Sequence, residues 1–366
     1  MQFMQKHILS FAALLLFVCG ATPAFAGNPD RQGEAGAHQL LMNPWARSAG
    51  LHTINTASIS GAEALRLNVA GVSRIVGTEI NLSHALYMRG ADISMSSLGI
   101  AQRIGENGAI ALSIMALDFG DINVTTVGSP EGTGATYSPN FFNLGIGYSH
   151  MFENKVSVGV TLRAVSEAIS DVSASAVAID AGVQYVTGDY DEFKFGISLR
   201  NIGSQMIYKG NGLTTNQSIE REGQTFPLTL EQRSEDFELQ SVLNIGLSYD
   251  VLPSLDDTNN ELTVMGNFTS NAFSRDQLGL GAEYTFNRMF SVRAAYRYTL
   301  GEDENDIIGQ ELYSGLAAGF SVEVPFDKDN ANSGRFGIDY GYRNTNVFDG
   351  THNIGIRVIL PGRASE

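Results

Sequence analysis

Cysteine is almost absent: the 366 residues hold one, Cys19. It lies in an N-terminal stretch laid out as a secretory signal, with Lys6 at the positive end and an apolar core over 8–18. A small-x-small site, Ala24-Phe25-Ala26, follows, and the layout predicts cleavage after Ala26. Val18 before Cys19 is not the small residue that lipid attachment requires. The mature chain therefore has no thiol, which excludes disulfides and leaves only histidines and carboxylates as metal ligands. Long apolar runs are also missing. After the signal no stretch of about 18 apolar residues occurs, which excludes helical membrane spans. Proline is scarce at 9, too few for a rigid stalk. Basic charge is scarce too: 23 Lys and Arg face 39 Asp and Glu, a net charge of −16 that becomes −17 once Lys6 is removed. Such a chain repels nucleic acid. Catalytic signatures are lacking as well: there is no G-x-S-x-G, no P-loop and no H-E-x-x-H. The mature histidines, His38, His52, His84, His150 and His352, are scattered. The reading is a non-enzymatic protein with no catalytic, cofactor or metal residues.

What the chain does have is glycine (40), phenylalanine (20), tyrosine (13) and alternation with period two. In "FNLGIGYSHM" (142–151) one face reads Phe142, Leu144, Ile146, Tyr148 and the other Asn143, Gly145, Gly147, Ser149. A soluble half-buried strand turns charge outward, whereas here the second face is small and uncharged. Similar strands are predicted over 78–86, 91–102, 108–118, 155–167, 174–187, 192–202, 238–249, 260–270, 276–286, 290–300, 312–324, 334–343 and 351–360, fourteen in all. A further stretch, 225–233, is settled by parity. Outer-membrane barrels have an even strand count, short periplasmic turns and longer external loops. With fourteen strands the tight connections fall on one side, and 119–139, 203–237 and 301–311 on the other. Segment 225–233 then belongs to a long external loop. Strand lengths fit a bilayer, which roughly 9–11 tilted residues span. Aromatics such as Tyr148, Phe152, Tyr249 and Phe286 sit near strand ends, as an interfacial girdle requires. A soluble sandwich or propeller is the alternative.

The fold class is thus all-β: a transmembrane antiparallel β-barrel of about 14 strands, in the bacterial outer membrane. The predicted organisation is a signal at 1–26, an N-terminal segment at 27–77, the barrel at 78–360 and a tail at 361–366. Residues 27–77 do not alternate, and lie at the periplasmic end or fold into the lumen as a hatch. Charges in phase with the Gly/Ser/Asn face, Arg163, Arg200, Arg293, Arg297 and Arg357 with Asp180, Glu283 and Asp339, are predicted to face the lumen. On the lipid face each would cost about 2–4 kcal/mol at the midplane. They would either guide something anionic or, the plainer reading, form an ion-pair lattice that fills the barrel. Acidic connections, "GEDEND" (301–306), "SLDD" (254–257) and "RSEDFE" (233–238), read as solvated loops, with a weak signal for cations that bridge lipopolysaccharide.

Several segments resemble the PorV/PorQ family, outer-membrane barrels of the Bacteroidetes type IX secretion system that are related in architecture to FadL-type fatty-acid channels. These are "QLLMNPWARSAGL", "LNVAGVSRI", "ALSIMALDFGDI", "NLGIGYSHMFENKVSVGVTLRAVSEAI" and "FKFGISLRNIGSQMIY", in that order along the chain. The resemblance implies a fourteen-stranded barrel with an N-terminal plug. It further implies partners: the translocon barrel, a surface sortase or attachment complex, and cargo C-terminal signal domains, in contact with outer-membrane lipid and lipopolysaccharide. The sequence departs from the family at Asn68-Val69-Ala70-Gly71, where a proline is usual after the asparagine. A FadL-like channel for hydrophobic small molecules is the alternative function.

Overall fold

The computed structural model describes residues 27–88, 90–221, 224–252, 259–301, 312–313, 315–327, 333–346 and 348–362. The signal segment, the acidic runs at 254–257 and 302–306, and tail residues 363–366 lie outside the described residues. Among the described residues fourteen antiparallel strands close into one barrel. They are β1 (Thr78–Met88), β2 (Ile93–Ile104), β3 (Gly108–Asp118), β4 (Asn140–Phe152), β5 (Val156–Ile169), β6 (Val172–Thr187) and β7 (Phe193–Gly203). Then follow β8 (Val242–Leu252), β9 (Glu261–Asn271), β10 (Gln277–Phe286), β11 (Phe290–Thr299), β12 (Gly315–Pro325), β13 (Arg335–Arg343) and β14 (Thr351–Leu360). Every strand pairs with its chain neighbour, and β1 closes on β14 from Thr78↔Leu360 to Leu86↔His352. Closure leaves no open edge, the condition for a sheet in lipid.

The two faces differ as the alternation predicts. Leu82, Ile146, Val160, Leu162, Leu280 and Ile354 stand outward with 51% to 72% of their surface exposed. An apolar girdle of that extent is unstable in water and stabilising in hydrocarbon, which removes the soluble sandwich. Short turns join the strands at the end where β1 starts and β14 finishes. Asn287 and Arg288, both left-handed at φ 57° and 53°, are the central residues of a tight turn in which Met289 N–H donates to Phe286 O at 3.1 Å, with a twist that matches the flanking strands. By the loop-length rule this end is periplasmic.

The other end carries the long connections. Strands β4, β5 and β6 run to 13, 14 and 16 residues, against 9 to 11 in β8–β14. The longest, β6, meets loop 204–241 at the bridge Ser173↔Lys209, and the loop closes on itself at Met206↔Phe237. From this loop projects a hairpin, Thr214–Arg221 against Gln224–Glu231, whose described residues are all exposed. Segment 225–233 is thus an arm of an external hairpin and adds no stave to the barrel.

Residues 35–75 fill the lumen. The chain starts at the external end, where Ala35–Gly36 pairs in parallel with Glu238–Leu239 of the long loop and Gly27 N–H donates to Asp276 Oδ2 at 2.7 Å. It descends through one-turn helices at Ala46–Ala49 and Ala64–Leu67 to a 3₁₀ turn at Val69–Arg74, then enters β1. The inward glycines are the receptor for this hatch. A Cβ on Gly147 would stand 2.4 Å from Leu65 Cδ1, and one on Gly196 2.6 Å from the Thr56 carbonyl. Trp45, the sole tryptophan, is 2% exposed and packs over Gly99. Asn68 ties hatch to wall: its Nδ2 donates to Thr56 O at 3.0 Å and Val183 O at 3.1 Å, while its Oδ1 accepts from Ala70 N at 3.2 Å. Below the centre an apolar cluster of Ile59, Leu65, Leu67, Val72, Ala101 and Ala111 seals the packing.

Candidate functional site

Two features inside the barrel carry chemistry: a lattice of charged side chains and an external cavity. The lattice runs round β10–β14. Glu283 faces Arg293 in register on β11, their charged atoms 2.8 Å apart, and also meets Arg47 of the hatch at 3.2 Å. Arg293 donates to Ser321 Oγ at 2.6 Å, and Ser321 in turn donates to Asp339. Asp339 lies 3.4 Å from Arg357, which meets Glu323 at 2.9 Å; Glu323 closes on Arg335 at 2.5 Å. On the other wall Arg163 of β5 pairs with Asp180 of β6 at 2.7 Å and donates to Asn143 and to the Leu65 carbonyl, each at 3.0 Å. Arg297 donates to Gln277 Oε1 at 3.2 Å and to His52 O and Thr53 Oγ1 of the hatch. Arg200 donates to the Arg66 carbonyl at 2.8 Å.

Of the eight charges singled out by phase, Glu283, Arg293, Asp339 and Arg357 sit in this lattice, Arg163 and Asp180 form a separate pair, and Arg297 and Arg200 reach oxygens of the hatch. Five partners had no sequence signal of their own. Arg47, Glu63 and Arg66 belong to the hatch, which has no period to read. Glu323 lies on the less regular β12. Arg343 ends β13, where it donates to Asn43 O at 3.0 Å and stacks 4.0 Å from the Tyr313 ring centre.

Glu63 of the hatch is buried and accepts Ser48 N–H at 3.3 Å. It borders a small cavity of about 70 Å³ with Arg47, Lys194, Glu261 and Glu283. Burial, followed by the charge of Asp339, raises its pKa from 4.5 to about 7. The folded hatch then keeps a proton that the unfolded chain releases. The stability that Glu63 contributes is fully present below about pH 4.5 and is lost as pH rises through about 7, by about 3 kcal/mol at most. We expect urea unfolding followed by Trp45 emission to show a weaker hatch at pH 8 than at pH 5. Glu63→Gln should shrink that difference; a difference of unchanged size in the variant would refute the assignment.

The larger cavity, about 420 Å³, lies at the external end between hatch and wall. Met88, Leu117, Phe119 and Phe141 line it from the β1–β4 side, and Arg200, Asn244, Thr269 and Arg297 from the β7–β11 side. Its floor is made by His38, Gln39, Leu41, Met42, Thr53 and Leu67 of the hatch. Among the described residues no group of three His, Asp or Glu side chains has metal-binding geometry.

Against known proteins, residues 69–342 match the family described as "Type IX secretion system membrane protein PorP/SprF". The chain belongs to that family. It is a secretion-system membrane family rather than an enzyme family, and it differs from the PorV/PorQ barrels that the motifs resemble. Solved barrels share the fold. The toluene transporter TodX of Pseudomonas putida is 13% identical, with 87% of this chain and 97% of that one covered and a TM-score of 0.51. A FadL homologue of Pseudomonas aeruginosa is 10% identical over 86% and 96% of the two chains, with a TM-score of 0.50. No curated protein matches the chain. Closed fourteen-stranded topology, apolar girdle and family together make this type IX protein an integral outer-membrane barrel.

Proposed function

We propose that this barrel is a non-enzymatic subunit of type IX secretion that works by protein contact at its external face. The observation that carries the reading is loop 204–241. It is anchored to a rigid wall and to the start of the hatch, and it holds an exposed hairpin clear of the membrane. Long loops on rigid scaffolds carry recognition. Ile219, Phe226, Leu228 and Leu230 expose 39% to 50% of their surface on that hairpin, more apolar area than two isolated strands need for their own sake. The partners that fit are a translocon barrel, a surface attachment complex or the C-terminal signal domain of cargo. A PorV-like carrier role is the finer form of the same proposal, supported by the motifs quoted above.

Replacing 214–231 with a two-residue turn tests this. The variant should reach the outer membrane folded, lose co-purification with its partners and reduce cargo at the cell surface by tenfold or more. Unchanged secretion and attachment in the variant, or after deletion of the whole protein, would sink the proposal. A channel for hydrophobic small molecules draws support from the apolar side of the external cavity. The packed hatch below that cavity is the reason we rank it second.

A further inference from the structure

The start of the hatch sits on a buried acid. Gly27 N–H donates to Asp276 Oδ2 at 2.7 Å across 249 residues of sequence, and Asp276 is 2% exposed. Asp276 lies in the β9–β10 connection at the external rim. Its Oδ1 accepts Asn271 N–H at 3.3 Å, and its main-chain oxygen accepts Leu300 N–H at 2.8 Å, so the ends of β9 and β11 hold it in place. The position opposite admits no side chain. A Cβ on Gly27 would stand 2.7 Å from Asp276 Oδ1 and 2.7 Å from Ser274 O. Further along, the Arg31 guanidinium lies 4.3 Å from the ring centre of Phe273, on the same connection, and meets Glu238 at 3.3 Å. Ala35–Gly36 then pairs with Glu238–Leu239. Residues 27–36 are thus tied to the external rim at three points, and the first is a glycine nitrogen on a carboxylate.

That nitrogen is the one the small-x-small rule frees. Cleavage after Ala26 adds one water across the Ala26–Gly27 amide: Ala26 leaves with a carboxylate, and Gly27 keeps the nitrogen as an α-ammonium. The donor then has three N–H bonds and a unit positive charge in place of one N–H and none. A buried carboxylate is costly unless charge meets it, and a charge-assisted hydrogen bond is roughly twice as strong as a neutral one. Acceptors for the added protons are at hand, because Ser274 O and both carboxylate oxygens of Asp276 border the same glycine. The cleavage rule is read from residues 24–26 and the contact comes from a strand connection far along the chain. Neither bears on the other, yet both select Gly27.

We infer that the rim around Asp276 is the seat of the mature N-terminus: signal removal creates an α-ammonium at Gly27 that pairs with Asp276 and locks the hatch from the external end. Processing thereby decides when the lock forms. The precursor offers Asp276 an uncharged amide, and only the exported, cleaved chain offers a cation. Glycine is required at the first mature position because any Cβ there meets Asp276 and Ser274. The inference rests on cleavage after Ala26. It is independent of the secretory role, and its failure would leave that reading intact.

The test uses the full mature chain, purified from outer membranes in a neutral maltoside detergent, and an acetylating succinimidyl ester as probe. Mass spectrometry of the N-terminal peptide should show Gly27 as the first residue. Acetylation of its α-amine should be at least tenfold slower in the folded barrel than in the same chain unfolded in urea. Asp276→Asn keeps the shape and burial of the seat and removes its charge. It should speed acetylation of the α-amine at least tenfold, while the exposed Lys155 serves as an unchanged internal reference. Inserting two serines between Ala26 and Gly27 moves the ammonium off the seat and leaves an amide on Asp276. That variant should lose the protection and shift its Trp45 emission at lower urea. A first residue other than Gly27, equal acetylation in folded and unfolded chains, or undiminished protection in Asp276→Asn overturns the inference. Should Asp276→Asn not fold, judged by its migration with and without heating, undiminished protection in the insertion variant overturns it alone.

Discussion

Asp180→Asn should cost the barrel about 3–5 kcal/mol, the range for leaving buried charge without its partner. The substitution changes charge with almost no change of shape, and the amide oxygen can still accept Asn201 N–H. What disappears is the one anion that Arg163, Arg66 and Arg200 share. The sign can be checked internally. Adding Arg163→Met to Asp180→Asn removes one of the three stranded cations and should recover part of the loss, although it deletes the hydrogen bonds to Asn143 and Leu65. Urea unfolding in detergent, followed by the heat-dependent shift on electrophoresis, measures both. A double variant less stable than the single one would show that Arg163 works through its hydrogen bonds and that charge balance is secondary.

Gly341→Val should unseat the hatch without opening the barrel. A Cβ at this position would lie 2.3 Å from the Ala46 carbonyl oxygen and 2.8 Å from Gly50 N. Both are main-chain atoms of the one-turn helix and its end, so no side chain can swing aside. Overpacking ordinarily costs about 1–3 kcal/mol, and rigid backbone on one side places this case at the upper end or beyond. Trp45 begins that helix and is buried, so its emission should shift to longer wavelength as the segment detaches. Protease should then remove 27–77 while the strands stay protected. Gly266→Ala is the control: its Cβ would find Leu280 Cδ2 at 3.4 Å, an ordinary contact, and should change nothing. Retention of buried Trp45 in Gly341→Val would mean that the hatch moves as a body to accommodate the methyls.

Much of the barrel was legible residue by residue. Alternation survives in "FNLGIGYSHM" because lipid selects one face of the strand and the hatch selects the other. Ile146 and Tyr148 are 56% and 51% exposed, while Asn143 and Ser149 are 1% and 0%. Parity placed 225–233 outside the sheet, although its own pattern is that of a strand and it does pair as one. For 27–77 the sequence showed the lack of a period and left two places open, the periplasmic end or the lumen; the path of this hatch through the lumen was not legible. Its short turns are shaped by the glycines they meet, and that match exists between segments far apart in sequence. For the charges, phase indicates which side chains turn inward. Which acid meets which base depends on register and on the hatch, so Arg47 as second partner of Glu283, and Arg200 as a cation without one, could not be read in advance. The motifs pointed to type IX secretion, and the matched family within that system is PorP/SprF.

By itself the sequence determined the address and the architecture. Export, the absence of helical spans, strand number and the lipid-facing side all follow from local composition and a two-residue period. The tertiary structure alone decided that 35–75 threads the lumen from the external end, that a lattice joins five strands, and that Gly27 meets Asp276. The physical reason is range. Period and hydropathy act between neighbours along the chain, whereas charge pairing, cavity shape and the fit of a hatch to its glycines are set only when distant segments meet.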